Sequence, residues 1–514
     1  MYRHRHRALI TAFAASTVLV ITAALTACSG TVADGNVAPA SERSVYRLPI
    51  GDPASEIDPL TEADQYALAI TGLVTEPLVS LDAKGELDAR LATRWVPSDD
   101  GMTWTVELRP GAEFNDGSPV TAADVAATFA AITDEDSLSP GRSAFVGILD
   151  SITTADDHTV EFHLLRPFSD FPLLLTGTNT GILPADYEQG TWLDNPLGAG
   201  QFLLEEYVIG KGATYVKNPN YWNAEAIELD GVELKIYGDM QAQLLAFQAG
   251  EIDRIGLTSE VAATVDVSEY DVVSSGYNRF DGLFFDVTSP PFDDTTIRQA
   301  VAWAIDRPAL IEAVYEGNAD VANDTVFFPD YRPQPSGLEQ RERNLDRVEQ
   351  LLAGRTVAFT ITTAYQLFGE VLQQQLNAVP GFDVQLEVMS SEEFYADSDS
   401  TPWLHAPVTA TNWAKRGPSQ YLSLVFATGA PWNASHYSNP ILERAAAQFD
   451  ETTDATERQQ LADEIAAIQW TDVPVVIPAY SKSQALQSRR VAGEFVGALD
   501  FYAGYNFAGI SIED

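Results

Sequence analysis

The chain has 514 residues, 45% of them apolar, which is enough for two or three domains with cores of their own and excludes both general disorder and a small stapled scaffold. Acids outnumber bases 74 to 30, a net charge of -44 that would repel phosphate backbones and anionic headgroups, so nucleic acid and adsorption through a basic patch are excluded as partnerships. Acidity of this kind belongs to a solvated surface and by itself names no ligand.

In chain order, Arg3, Arg5 and Arg7 precede an uncharged stretch from Ala8 to Ala27, the pattern of an export signal. The stretch ends in Leu25-Thr26-Ala27-Cys28, which resembles a bacterial lipobox, where cleavage leaves an amino-terminal cysteine that carries lipid. A single membrane-spanning helix is the competing reading, since twenty residues can cross a bilayer. Cys28 is the only cysteine, so disulfides cannot hold an exported fold together and burial must do so. Residues 28–43 are small, polar and aperiodic, as expected of a tether between a lipid anchor and a fold that begins near Ser44.

Trp104, Val106 and Leu108 alternate with Thr105, Glu107 and Arg109 after an Asp100-Gly101 turn, which predicts a half-buried hairpin. Thr121 and Asp124 predict a capped helix start, with Val125 and Phe129 on one face. Leu244 and Phe247 share a helix face that stops at Gly250 and leads into a strand. Residues 292–317 read as two helices: Ile297, Val301 and Ala304 line the first, Asp306 and Pro308 open the second, and Gly317 ends it, with Arg298 and Asp306 as a local salt bridge or cap. Asp454 and Glu457 open another helix carrying Leu461, Ile465 and Ile468. Helices and strands alternate throughout, so the class is α/β or mixed α+β, without internal repeats.

Little in the chain points to catalysis. His158 and His163 would fall on opposite faces of a strand, His405 and His436 stand alone, and no transition-metal site or cofactor is expected. There is no nucleophile elbow, no phosphate-binding P-loop and no dinucleotide-binding glycine motif.

Several longer stretches do carry information. Residues 73–129, with Glu76-Pro77-Leu78, the turn Phe114-Asn115-Asp116-Gly117 and Ala123-Asp124-Val125, are followed by "NPLGAGQFLLEEY", "VKNPNYW", "LLAFQAGEID", "PPFDDTTIRQAVAWAIDRPALI" and "WNASHYSNPILE". In this order they resemble the extracytoplasmic solute-binding proteins of the peptide/nickel class, family 5, which serve ABC importers. Most of these residues are turns, caps and packing surfaces, so the resemblance speaks for scaffold first. It implies a periplasmic-binding-protein-like clamp of type II with an extra inserted domain. Lobe I would comprise 44–77, 190–277 and 481–514, the inserted domain 78–189, and lobe II 278–480. A peptide or other small polar solute would bind between the lobes and close them, and a monomer held by its lipid on the outer side of the cell membrane would deliver it to permease subunits. A secreted hydrolase acting on peptides or glycans, or a sensor using the same clamp, are the alternatives; turnover of a bound ligand would mark the hydrolase.

The stretch "NWAKRGP" bears on the ligand. Peptide binders of this family carry a tryptophan followed by an aspartate that receives the ligand's ammonium group; here Trp413 holds the aromatic place, and Lys415, Arg416 and Gly417 follow. Without the acid, an ammonium group in a closed cleft would lie unpaired, at a cost of several kcal/mol. An arginine fork suits a carboxylate or other planar anion instead, with the Trp413 face against apolar parts of the ligand. The alternative is that Lys415 and Arg416 pair with surface acids and that Trp413 packs in a core. Asn412 and Tyr421 beside the pair, Tyr277 and Asn278 near the crossover, and Asp58 in the loop after the first strand complete the expected contact set.

Overall fold

Alternation along the strands builds the architecture. In the computed structural model, which describes residues 43–53, 56–82, 85–396, 400–493 and 506–513, Trp104, Val106 and Leu108 point inward along strand Thr103–Leu108 while Thr105 and Glu107 stay half-buried. This strand lies between Ala92–Pro97 and Thr159–Leu164, and Leu149–Asp156 completes a four-stranded antiparallel sheet. Helix Ala122–Thr133 packs beside it, and Asp124 accepts hydrogen bonds from both the backbone N–H and the hydroxyl of Thr121 at 2.7 Å. The export signal, the lipobox with Cys28 and nearly all of the tether lie outside the described residues.

A second four-stranded sheet runs in the order Val45–Ile50, Gly231–Ile236, Gly212–Lys217, Phe202–Val208, its first pair parallel. One continuous core joins both sheets, from Tyr46 through Trp104, Phe129 and Phe171 to Leu234, and Phe507 and Ile510 return to it from near the C-terminus.

The largest sheet has seven strands, in the order Arg254–Gly256, Val475–Gln487, Asp271–Phe285, Val408–Ala414, Val357–Thr363, Phe382–Val388, with Ala319–Val321 also beside Val475–Gln487. Side-chain parity divides its faces between two cores. Leu283, Phe285, Val408, Ala410 and Val476 face one; Phe284, Trp413, Val475 and Ile477 face the other. Helices Thr295–Ala304 and Arg307–Tyr315 cover the first core, and Pro440–Glu451 and Ala455–Asp472 cover the second.

The expected caps form at Asp306, which accepts from Ala309 N at 3.0 Å, and at Asp454, which accepts from the backbone of Thr456 and Glu457. Glu457 takes the Thr452 hydroxyl at 2.7 Å instead of closing a box with Asp454. Arg298 does not pair with Asp306; it is buried, and its guanidinium donates to the carbonyls of Phe292, Asp472 and Val473. Strands Asp271–Phe285 and Val475–Gln487 run side by side from a small core around Phe247, Ile255 and Leu486 into the cores of the large sheet. Their pairing slips around Tyr277, where an irregular ladder lets the ribbon bend.

Candidate ligand cleft

A cavity of about 510 Å³ lies where the first core meets the large sheet. Leu81, Phe145, Leu173 and Thr176 line it from one side, and Phe328, Arg416, Gln420 and Trp432 from the other. Its size falls within the roughly 300–1,000 Å³ of small-molecule sites, and its wall is mostly apolar with a few polar groups, as such sites are. The two sides approach closely at glycines. A Cβ on Gly417 would stand 3.5 Å from Leu173 Cδ1, and one on Gly85, which has φ +78, would stand 2.8 Å from the carbonyl oxygen of Asp330.

Lys415 and Arg416 reach this wall because strand Val408–Ala414 ends just before them and Pro418 opens the next short helix, Pro418–Tyr421. Pro418 favours the extended backbone seen at Gly417, so the two cations lie in the short connection between the strand and the helix. Their roles then separate. Lys415 Nζ lies 2.5 Å from Asp330 Oδ2, and its backbone N–H donates to the Asn278 carbonyl at 2.7 Å. Arg416 donates from Nη1 to the Ala414 carbonyl at 3.0 Å, its Cζ lies 5.2 Å from the Trp432 ring centroid, and no carboxylate among the described residues comes within 4 Å of it.

The other expected contacts lie elsewhere. Trp413 is only 6% exposed and packs against Phe284, Trp403, Tyr421 and Trp432, so its face is taken by protein. Asn412 precedes it on the same strand and therefore points to the opposite face. Tyr421 is buried, with its hydroxyl donating to the Ala414 carbonyl at 2.6 Å. Asp58 is buried and accepts from the Tyr187 hydroxyl at 2.6 Å, Gly190 N at 2.5 Å and Leu60 N at 2.9 Å, so it ties loops together.

Tyr277 and Asn278 sit at the slip between the two long strands. Asn278 donates to Ser483 Oγ at 2.5 Å and accepts from Ser481 Oγ at 2.6 Å, which clips the strands to each other; its residue borders a second cavity of about 430 Å³. Tyr277 donates to Asp320, and burial followed by that contact pushes its hydroxyl well above the usual range. Burial pushes Asp320 up, but Lys482 and Tyr277 outweigh it and hold the carboxyl below the usual carboxylate range.

Leu173, Thr176 and Phe328 on the wall carry no distinctive signal in the sequence, whereas Trp432 opens one of the recognised stretches and Gln420 follows "NWAKRGP" by two residues. His405 and His436 are not isolated: their rings stack with centroids 5.7 Å apart. Among the described residues no His, Cys, Asp and Glu cluster could hold a metal ion, and no helix is long and apolar enough to cross a membrane.

Residues 86–433 match the bacterial extracellular solute-binding proteins, family 5. The chain belongs to this family. The family-5 protein is 26% identical over 478 residues to the glutathione-binding protein GsiB of Pectobacterium atrosepticum, covering 87% of this chain and 91% of that one. It is 25% identical over 468 residues to the dipeptide-binding protein DppE of Bacillus subtilis, covering 82% and 83%. Its fold is that of the periplasmic murein tripeptide-binding protein MppA in its unliganded open form, with a TM-score of 0.79 at 21% identity over 92% of this chain and 98% of that one. HbpA2 from Haemophilus parasuis gives 0.78 at 22% identity over 91% and 100%. The family-5 protein is therefore an extracytoplasmic solute-binding component of an ABC importer, with the type II fold of periplasmic binding proteins, and the hydrolase alternative is set aside because its relatives bind solutes and are not enzymes.

Proposed function

We propose that the protein captures a peptide or a glutathione-like solute bearing an acidic group, closes around it and delivers it to the permease subunits of its importer. The observation that carries this reading is Arg416: in a chain with 74 acids, a guanidinium on a cavity wall has no carboxylate partner among the described residues and lies over Trp432. A planar anion can accept two parallel hydrogen bonds from such a fork. The names of the relatives agree with this class of cargo, one binding glutathione and one dipeptides.

In this reading residues 278–480 form lobe II, and residues 44–77, 190–277 and 481–514 form lobe I with 78–189 inserted. The slipped ladder near Tyr277 and the Asn278 clip suit a hinge, so Tyr277 and Asn278 act in bending and Trp413 and Tyr421 act as support behind Arg416. Asp58 and Asn412 are left out of the contact set. The protein works as a monomer, held to the membrane by lipid on Cys28.

Calorimetry with glutathione, an acidic tripeptide and a neutral tripeptide tests the reading. Binding of an acidic solute that weakens on Arg416→Ala is the expected result. An affinity that ignores both the ligand's acidic group and Arg416 would sink it. Release of a Cys28→Ser variant from the membrane fraction checks the anchor.

A further inference from the structure

Most polar side chains on the cavity wall are committed to the protein itself. Ser143 Oγ donates to the Pro140 carbonyl at 3.0 Å, Thr176 Oγ1 to the Leu173 carbonyl at 2.8 Å and Thr180 Oγ1 to the Gly177 carbonyl at 2.7 Å. The Tyr331 hydroxyl donates to Asp170 at 2.7 Å, Lys415 is held by Asp330, and Thr178 too has a partner. Among the described residues, Arg416 and Gln420 keep donors to spare. Arg416 spends one N–H on the Ala414 carbonyl and keeps the rest of its fork. Gln420 bonds through its backbone, from N–H to the Gly417 carbonyl at 3.1 Å and from Ser423 Oγ to its carbonyl at 3.1 Å, which leaves the side-chain amide open. Both donors stand within residues 416–420.

The rest of the wall is apolar on both sides. Leu81 and Leu173 on one side and Leu424 and Trp432 on the other are half-buried, so each keeps apolar surface that a guest can cover. This surface begins beside the donors: a Cβ on Gly417 would stand 3.5 Å from Leu173 Cδ1, and Arg416 Cζ lies 5.2 Å from the Trp432 ring centroid.

We propose that the cargo is an amphipathic acidic peptide, with its acid at one end against Arg416 and Gln420 and apolar side chains laid over Leu173, Leu424 and Trp432. This rests on the reading of the cavity as the cargo site and of Arg416 as its anion receptor. Hydrogen-bond acceptors on the cargo must gather where the wall offers donors, which is at 416–420. Glutathione is polar along its whole length and suits this wall poorly. Its second carboxylate would lie away from those donors, and its ammonium group would meet no carboxylate on the wall but Asp330, which Lys415 holds. Each such group would lose its water without a replacement partner. Apolar side chains in the same places gain by leaving water.

Titration calorimetry with an acetylated phenylalanyl-leucine, its carboxamide and glutathione tests the proposal. Acetylation removes an ammonium group that would meet only Asp330. The acetylated acid is expected to bind about tenfold tighter than either of the others. Leu173→Ser should weaken the acetylated acid by about 3-fold or more and change glutathione less, so that the two converge; Leu424→Ser serves if Leu173→Ser does not melt cooperatively. Arg416→Ala should weaken both acids. If glutathione binds as tightly as the acetylated acid and both depend on Arg416, the apolar body is overturned and the anion reading stands. A preference that survives both wall variants overturns it equally. If the carboxamide binds as well as its acid, or none of the compounds binds, Arg416 receives no such anion, and that reading falls together with the inference.

Discussion

Lys415 and Arg416 are neighbours with opposite circumstances: Lys415 Nζ is 2.5 Å from Asp330 Oδ2, whereas Arg416 reaches a backbone carbonyl and the Trp432 ring and has no carboxylate within 4 Å among the described residues. An acidic cargo meets one neutralised cation and one available cation. Arg416→Ala should weaken binding of an acidic peptide about 10- to 100-fold, the loss of roughly 1.5–3 kcal/mol for a hydrogen bond to a charged group. Asp330→Asn should act in the other direction, releasing Lys415 and removing a negative charge from the wall, with affinity rising about 3-fold or more at low salt. Titration calorimetry at two ionic strengths checks both; weaker binding in Asp330→Asn would contradict an anionic cargo.

Local rules made much of the fold legible. The Thr103–Leu108 alternation and the caps at Thr121, Asp306 and Asp454 involve residues a few positions apart, where chain geometry leaves few options. The roles of Glu76 and Asp58 were not legible, because their partners are remote. Glu76 accepts from Arg90 at 2.8 Å, but also from Tyr221 and Trp222, which come from another of the recognised stretches. Asp58 reaches Tyr187 and Gly190. The cleft was half legible. Arg416 stood out against the acidic background, while Leu173 and Thr176 reach the wall from a stretch with no distinctive chemistry. The burial of Trp413 could have been foreseen, since strand parity separates it from Asn412 and puts one of the two away from any shared ligand.

Arg307 and Arg341 converge on Asp324, and all three side chains are essentially buried. Arg307 Nη2 is 3.0 and 2.8 Å from the two carboxylate oxygens, and Ile477 N donates to Oδ1 at 2.9 Å. Asp324→Ala would strand two buried guanidiniums. It should cost at least about 3–5 kcal/mol, the usual loss when one partner of a buried pair is removed. Urea denaturation is expected to show a much lower midpoint or no folded baseline; a loss under 1 kcal/mol would mean that water reaches the site.

Trp413→Ala should lower stability by about 3–5 kcal/mol by opening a cavity beneath Trp432. Trp413→Phe should keep most of the packing, and because Trp413 Nε1 has no hydrogen-bond partner among the described residues it sacrifices none there. Melting of both variants, with acidic-peptide affinity measured well below the transition, separates support from contact. Trp413→Phe is expected to bind within about 3-fold of wild type, well short of the roughly 1.4 kcal/mol of a tenfold change, since its ring is packed among Phe284, Trp403, Tyr421 and Trp432 behind the wall. A much larger loss of affinity with melting unchanged would return Trp413 to the contact set.

Glu62 lies under the cleft wall beside Ala63, accepting from the Thr71 hydroxyl at 2.5 Å and from Asp58 N at 2.9 Å. Burial pushes its carboxyl up to about 8, against the lowering effect of those two hydrogen bonds, with the nearby Asp58 carboxylate adding a smaller push in the same direction. The unfolded chain releases this proton near the ordinary value of 4.5, while the folded chain keeps it until about 8. Between those values the folded state binds more protons, so this residue's contribution to stability falls as pH rises and levels off above about 8. The whole effect is on the order of a few kcal/mol. Glu62→Gln carries no such proton, so the difference in denaturation midpoint between variant and wild type should widen from pH 5 to pH 8 in favour of the variant. A difference that stays flat over that range would mean that Glu62 is already ionised in the folded protein.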